Sequence, residues 1–443
     1  MTRVPPFILF LVFGLSWFAA APGIGVASER ERVTACIAQA LADLQSLEDP
    51  RPIDASGRIG LRLIPDLPEV SALRSRDLQS MEVGDPAVSV DPVTGEATVS
   101  GTGYILKWAS VRDLEEGRAA RSVEYPKFYQ KVSRLVGNAY EQEIVPLNLK
   151  DELPWDLQFY TSYSRPAEGG GFERIAVLGG MTPPRGEEHA AFAPHNVTRD
   201  LKMATWSKVL KAWVIDEKPW LGDRADLGRW AGHGYGHDIL WRDRNHGILY
   251  RERVTGEVDP VSGTLRDGAG ALATEIYSIE IDRDFKPIGP EKKMLGVADF
   301  APSERRLIRR SGGQGFLLEG PRVHAYTIAG REVHLMLFSS RDYYHKNYTI
   351  LAAVSHDGPQ GHFELYRVHG KVVNLAQAIV DRYPVLRGVG RAYPFGNQGR
   401  RAILHAYRGD ASGRSLLITD LDVLESADNA AGIEIRFNLE RTP

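Results

Sequence analysis

The sequence predicts an all-β chain built as a five-bladed β-propeller behind a short N-terminal helical lead. Three observations carry that prediction. From about Gly84 onward, short apolar or alternating runs are broken by Gly, Pro, Asn and Asp, and long helical periodicity is largely absent. Polar turns with a glycine suited to positive φ separate paired strand-like runs, at Asp91-Pro92-Val93-Thr94-Gly95, Asp243-Arg244-Asn245-His246-Gly247, Thr327-Ile328-Ala329-Gly330-Arg331 and Asn397-Gln398-Gly399-Arg400-Arg401. A looser example runs through Ala167-Glu168-Gly169-Gly170-Gly171, so one strand–turn–strand unit recurs about five times. Recurrence of a multi-strand unit is the signature of a propeller.

Composition bounds the function. With 43% hydrophobic and 25% charged residues the chain is ordinary globular material, which excludes wholesale disorder. Lys and Arg number 54 against 57 Asp and Glu, so no basic field exists to gather nucleic acid.

Met1-Thr2-Arg3, the apolar run from Pro5 to Phe18 and the small residues ending Val26-Ala27-Ser28 have the form of a secretory signal peptide over 1–28. The apolar stretch falls short of the roughly 20 residues that a membrane span needs. Export with cleavage is therefore expected, giving a secreted or periplasmic protein with no membrane partner. Residues 29–83 form the lead, in which Val33, Ile37, Leu41, Leu44 and Leu47 recur at helical spacing. Cys36, the one cysteine, sits in that helix, so neither an internal disulfide nor a cysteine-based zinc site is expected.

The propeller is expected over 84–443, with units opening near Gly84, Trp155, Gly236, Leu318 and Gly388. They exceed the roughly 40–50 residues of a bare blade, so loops are inserted. Arg305-Arg306-Leu307-Ile308-Arg309-Arg310 falls in one such insertion and reads as a solvated loop. Ile433, Ile435 and Phe437 alternate with polar residues, and this last strand is expected to pair with the first blade and close the ring.

Acidic residues mark three unit openings: Gly84-Asp85-Pro86, Gly236-His237-Asp238 and Leu318-Glu319-Gly320-Pro321. The first strand of each blade lines the axis, so carboxylates at equivalent starts converge on one end of the funnel. Such a set suits glycosidic cleavage. One carboxylate activates water, while another keeps its proton, because a neighbouring anion disfavours a second charge, and donates it to the leaving oxygen. A separation of roughly 6.5–9.5 Å implies inversion, and about 5–5.5 Å implies retention.

These segments resemble glycoside hydrolase family 43. Glu319-Gly320-Pro321-Arg322-Val323, Leu335-Met336-Leu337-Phe338-Ser339, Asn347 to Ser355 and Gly361-His362-Phe363-Glu364 look like its acid-bearing blade. Asp238-Ile239-Leu240-Trp241-Arg242-Asp243 is similar to the blade with the pKa-tuning aspartate. Asp85-Pro86-Ala87-Val88, with Ser110-Val111-Arg112-Asp113-Leu114 downstream, resembles the opening blade, where an Asp-Pro carries the base.

The resemblance implies Asp85 as base, Asp238 as tuning residue and Glu319 as general acid, acting by inversion on a furanoside or xyloside. Two departures stand out. Asp238 lacks the usual following proline, and Gly390-Arg391-Ala392-Tyr393 replaces the family's frequent Gly-His. Positive charge there falls to Arg391, and no metal or cofactor is expected. Asp156 is the substitute base.

Trp108, Trp230, Tyr235, Trp241, Tyr343 and Tyr344 are candidates for a sugar-stacking platform. Trp108, His237, Tyr343 and Arg391 are the substrate-binding candidates. His233, His237 and His246 cluster without metal-ligand spacing. Two other functions fit the same ring: a glycan-binding propeller without turnover, and a retaining fructan-active enzyme.

Overall fold

The computed structural model describes residues 38–39, 42, 47, 53, 55–64, 85–91, 93–100, 105–124, 130–136, 139–145, 156–166, 172–182, 198–207, 212–215, 233–243, 245–255, 273–309, 315–341, 347–408 and 414–440. The leader over 1–28, Cys36, Trp230, Tyr343, Tyr344 and the turn over 167–171 lie outside the described residues. Ala38, Gln39, Ala42 and Leu47 of the lead are helical.

The lead contributes a two-residue strand, β1 (Arg62–Leu63). Five antiparallel sheets account for most of the rest. The first contains β2 (Ala87–Val90), β3 (Ala97–Ser100), β4 (Ile105–Trp108) and β5 (Ser122–Glu124). A hairpin of β6 (Gln130–Val136) and β7 (Ala139–Val145) follows. The second sheet is β8 (Asp156–Pro166), β9 (Phe172–Thr182), β10 (Thr198–Ser207) and β11 (Ala212–Ile215). The third is β12 (His233–Trp241), β13 (His246–Thr255), β14 (Ala273–Asp282) and β15 (Lys292–Leu295). The fourth is β16 (Leu318–Ile328), β17 (Arg331–Ser340), β18 (Thr349–Ser355) and β19 (Glu364–Leu365). After a small hairpin, β20 (Arg367–Val368) and β21 (Lys371–Val372), the fifth sheet takes β22 (Leu386–Phe395), β23 (Arg401–Arg408), β24 (Arg414–Glu425) and β25 (Ile433–Asn438), with β1 added.

The ring is visible in the contacts of the first strands. β2 touches β8, β8 touches β12, β12 touches β16, β16 touches β22, and β22 returns to β2. Each sheet therefore places its opening strand at the hub, as a propeller does. The openings fall within a few residues of the unit starts read from the sequence.

Turn chemistry explains the strand ends. Asp91 Oδ1 accepts from the backbone N–H groups of Val93 and Thr94, at 2.8 and 3.1 Å, and folds the turn back on itself. Asp243 does the same for Asn245 and His246, at 2.7 and 2.9 Å. Ala329 and Gly330 both have positive φ, 49° and 75°, in the two-residue turn that matches strand twist between β16 and β17.

Apolar clusters fill the wedges between neighbouring sheets. Leu335, Leu337, Ile350, Ala352, Leu404 and Leu417 join the fourth and fifth sheets. Val99, Trp108, Ile403 and Ile418 join the fifth and first. Tyr250, Met336, Phe338 and Leu351 join the third and fourth, and Ile175, Ile239 and Leu249 join the second and third. Burial of these side chains is the main force holding the blades radially.

Ring closure differs from the sequence expectation. β25 pairs not with the first sheet but with β24, Leu421 opposite Phe437 and Val423 opposite Ile435. β24 is 12 residues long and runs past its pairing with β23, so it offers a long free edge. β25 covers Asp420 to Glu425 of that edge and β1 covers Leu417 and Ile418. Both ends of the described chain thus meet in one blade. Among the described residues no helix is long and apolar enough to cross a membrane.

Candidate active site

Three sheets deliver carboxylates to a single arginine at the hub. Arg391 lies on β22, and its Nε is 2.7 Å from Asp85 Oδ1, which just precedes β2. Its Nη2 is 3.3 Å from Glu319 Oε2 at the start of β16. Its Nη1 is 3.1 Å from Glu252 Oε1 on β13. The planar guanidinium is the side chain suited to bind several carboxylates in fixed directions.

The backbone bends to make this possible. Asp85 and Arg391 both have positive φ, 53° and 54°, a region that non-glycine residues rarely occupy and that concentrates at functional sites. The ladder between β16 and β17 slips between Glu319 and Arg322, a bulge at Gly320-Pro321 that turns Glu319 toward the hub. Gly320 has φ 59°, and a Cβ there would lie 1.9 Å from Arg391 Nη1. Gly390 is needed for the same reason: its Cβ would fall 1.8 Å from Tyr348 Cε1.

The surroundings tune the two outer carboxyls in opposite directions. Burial pushes the Glu319 carboxyl up, and the Glu252 and Asp85 anions add to it. Arg391 and a hydrogen bond from the Tyr348 hydroxyl to Oε1 oppose the rise, and the result is about 7. Burial also raises Asp85, but the surrounding positive charge, Arg391 first and then Arg414 and Arg322, outweighs it and holds the carboxyl below its ordinary value. The Asp85 backbone N–H donates to His405 Nδ1 at 3.2 Å. Burial, with Arg414 nearby, pushes His405 well below the usual histidine value, which favours a neutral ring with Nδ1 as acceptor. That ring stacks on Tyr348, with centroids 5.9 Å apart and planes 3° apart.

Asp238 occupies a neighbouring niche. Its Oδ2 accepts from the Val323 backbone N–H at 3.0 Å, and Arg322 Nη1 lies 3.9 Å from Oδ1. Burial raises its carboxyl against the pull of Arg322. Arg322 also donates to the His237 carbonyl and lies over the Tyr393 ring, 5.2 Å from its centroid. Arg322 thus links Asp238 electrostatically to Asp85.

All four acid side chains are largely enclosed at the hub. Asp85 and Glu319 side chains keep 13% and 11% of their surface, against 6% for both Asp238 and Glu252.

The other sequence candidates divide. Trp108, expected to stack on sugar, is 1% exposed; it packs between the fifth and first sheets and donates its Nε1–H to the Arg118 carbonyl at 2.8 Å. Its indole is core, on the face of β4 that it shares with buried Leu106. His237 is buried, and its carbonyl accepts from Arg322. His246 pairs with Asp243, 3.0 Å away, in an exposed turn. Trp241 packs edge-on against Phe285 at 5.4 Å. Asp156 opens β8 in a position equivalent to the other openings, but its side chain lies outside what is described. Among the described residues no group of three or more His, Cys, Asp and Glu is placed to hold a metal.

Sequence reasoning missed Glu252 and Tyr348. Glu252 lies mid-strand with no turn or motif beside it. Tyr348 sits in the segment matched to the acid-bearing blade, and only its neighbour Gly390, two strands away in the next sheet, signals its position.

No protein-family model matches the sequence, and no curated protein matches it significantly. Solved structures match in shape. A thermostable family-43 glycoside hydrolase is similar over 82% of this chain and 95% of its own, with TM-score 0.51 and 13% identity. A xylan β-1,4-xylosidase from Bacillus halodurans C-125 matches over 81% of this chain and 55% of its own, with TM-score 0.46 and 12% identity. A GH43 endo-arabinanase from Bacillus licheniformis matches over 80% and 96%, with TM-score 0.44 and 13% identity. At 13% identity and TM-score 0.51 the first likeness is one of fold, and at that level it agrees with the family resemblance read from the scattered motifs.

Proposed function

We propose that this chain is an exported glycoside hydrolase whose hub cleaves a glycosidic bond by an inverting acid/base mechanism. One observation carries the reading: two carboxyls at the hub face one guanidinium, one pushed up to about 7 and the other held below its ordinary value. At neutral pH a fraction of Glu319 keeps a proton while Asp85 is ionised. Glu319 gives its proton to the leaving oxygen. Asp85 takes one from a water that attacks the anomeric carbon from the opposite face. The inverting course is taken from the family resemblance, which pairs a base with an acid across a water-wide gap. Asp238 and Arg322 brace the strand that carries the acid. By family resemblance the substrate is a furanoside or xyloside, and the 1–28 leader supports a secreted or periplasmic location.

Glu319→Gln tests the assignment. General acid catalysis contributes about 10²–10⁴-fold. The variant is expected to lose that much turnover on unactivated arabino- or xylo-oligosaccharides but far less on dinitrophenyl glycosides, whose leaving group needs no proton. Equal losses on both substrates would remove Glu319 from the acid role. Anomeric products followed by NMR separate inversion from the retention expected of a fructan-active enzyme.

The Arg391 bridge also favours a second reading. A guanidinium that joins Asp85 to Glu319 could equally lock a glycan-binding hub, which would bind oligosaccharide without turnover before and after the substitution.

A further inference from the structure

Glu252 is a buried carboxylate that no motif marks. It lies on β13, the second strand of its blade, one strand removed from the hub. The ladder between β12 and β13 pairs His237 with Arg251 and His233 with Arg253, so Gly234, Tyr235 and Gly236 bulge opposite Glu252 alone. On its other side Glu252 pairs regularly with Ile276 of β14. The bulge opens the first strand at the level where Glu252 reaches across to the next sheet. There Oε1 accepts from the Gly320 backbone N–H at 2.5 Å and from Arg391 Nη1 at 3.1 Å. Gly320 is the residue after Glu319, and its missing Cβ leaves the space that Arg391 fills.

We propose that Glu252 is a positioning residue: its carboxylate clamps the Arg391 guanidinium to the bulge that carries Glu319, and its negative charge keeps that guanidinium from pairing fully with Glu319. The role rests on the reading of Glu319 as the acid. Among the described residues, the charged and titratable groups that act on Glu319 are Arg391, Glu252, Tyr348 and Asp85. Of these, Glu252 and Asp85 disfavour its ionisation, but Asp85 is engaged as base. Glu252 is the anion free to serve this purpose alone.

The test reads Glu319 directly. Glu252→Gln keeps the volume and an acceptor oxygen for Gly320 but removes the charge. The protonated Glu319 carboxyl is followed by isotope-edited infrared or carbon NMR titration, with Glu319→Gln identifying the signal. In Glu252→Gln the Glu319 midpoint is expected to fall by about one pH unit, through loss of a like charge and a freer Arg391. The protonated fraction at pH 7 then drops about fivefold, and kcat/KM on unactivated oligosaccharide follows it while the base limb stays in place. An unchanged Glu319 titration in folded Glu252→Gln protein overturns the proposal. Should that variant not fold, Glu252→Asp keeps the charge but cannot span both partners; a lowered midpoint supports the clamp and an unchanged one overturns it. The titration needs no substrate. A wild-type protein inert on every glycoside would therefore sink the hydrolase reading while leaving the Glu252 result to stand or fall separately.

Discussion

Glu319 and Asp85 carry the same functional group and should respond oppositely to pH. Activity is expected to fall as pH rises through about 7, where Glu319 loses its proton, and to fall again in acid below the ordinary carboxylate range, where Asp85 gains one. A pH profile of kcat/KM checks both limbs. Stability should divide the same way. The fold disfavours ionised Glu319, so a cost develops above the ordinary 4.5 and is complete above about 7, where it approaches about 3 kcal/mol. Glu319→Gln should therefore denature at higher urea than wild type at pH 8 and at the same urea near pH 4. The fold favours ionised Asp85, and that gain is present above the ordinary 3.8 and lost as pH falls through the lower folded value. Asp85→Asn should be the less stable protein at pH 7, with the gap closing in acid. Tyr348→Phe offers a third sign test. It removes a donor to the Glu319 carboxylate, so the Glu319 midpoint should rise, opposite to the fall expected in Glu252→Gln.

At the level of strands, the site depends on two glycines that keep neighbouring blades close. Gly390 on β22 faces the Tyr348 ring beside β18, and a methyl group there would force the ring away from Glu319. Gly390→Ala is expected to cost about 1–3 kcal/mol in denaturant unfolding and to weaken the Tyr348 bond to Glu319. A variant of wild-type stability with an unmoved Glu319 titration would contradict the packing. The same strands show why the sequence was only partly legible. Asp85 and Glu319 could be read because each lies at a strand opening beside a proline, and Asp238 because it follows the Gly236-His237 segment that resembles a blade start. Glu252 could not, because its role arises from a bulge in the neighbouring strand, and pairing register is a long-range property that local pattern does not fix. Trp108 misled for a related reason. An aromatic on a strand reads alike whether it faces a groove or a wedge between blades. The hairpins were legible because Asp91, Asp243 and the Ala329-Gly330 pair encode their turns within a few residues.

The hub works only if the ring holds its radius, and the ring is closed by the lead rather than by the last strand. β1 enters the fifth blade against Leu417 and Ile418, and its flanks are tied down by polar bonds. Asp420 Oδ2 accepts from the Ile59 and Gly60 backbone N–H groups at 2.9 and 2.8 Å, and Arg58 reaches Asp422 at 3.2 Å. Successive residues serve opposite wedges: Leu63 packs into the cluster between the fourth and fifth sheets, and Ile64 into that between the fifth and first. Both are nearly fully buried. A lead built in this way cannot behave as an appendage. Leu63→Ala is expected to cost about 2–5 kcal/mol, because a large buried side chain leaves a cavity. Val93→Ala, at a position 74% exposed in a hairpin turn, should stay within about 0.5 kcal/mol of wild type. If the first and last parts of the chain close one ring, calorimetry of Leu63→Ala should show a single transition moved as a whole to lower temperature, with calorimetric and van't Hoff enthalpies equal. A main transition at the wild-type temperature, with only a small early transition lost, would mean that the lead folds apart from the propeller and that the hub geometry owes it nothing.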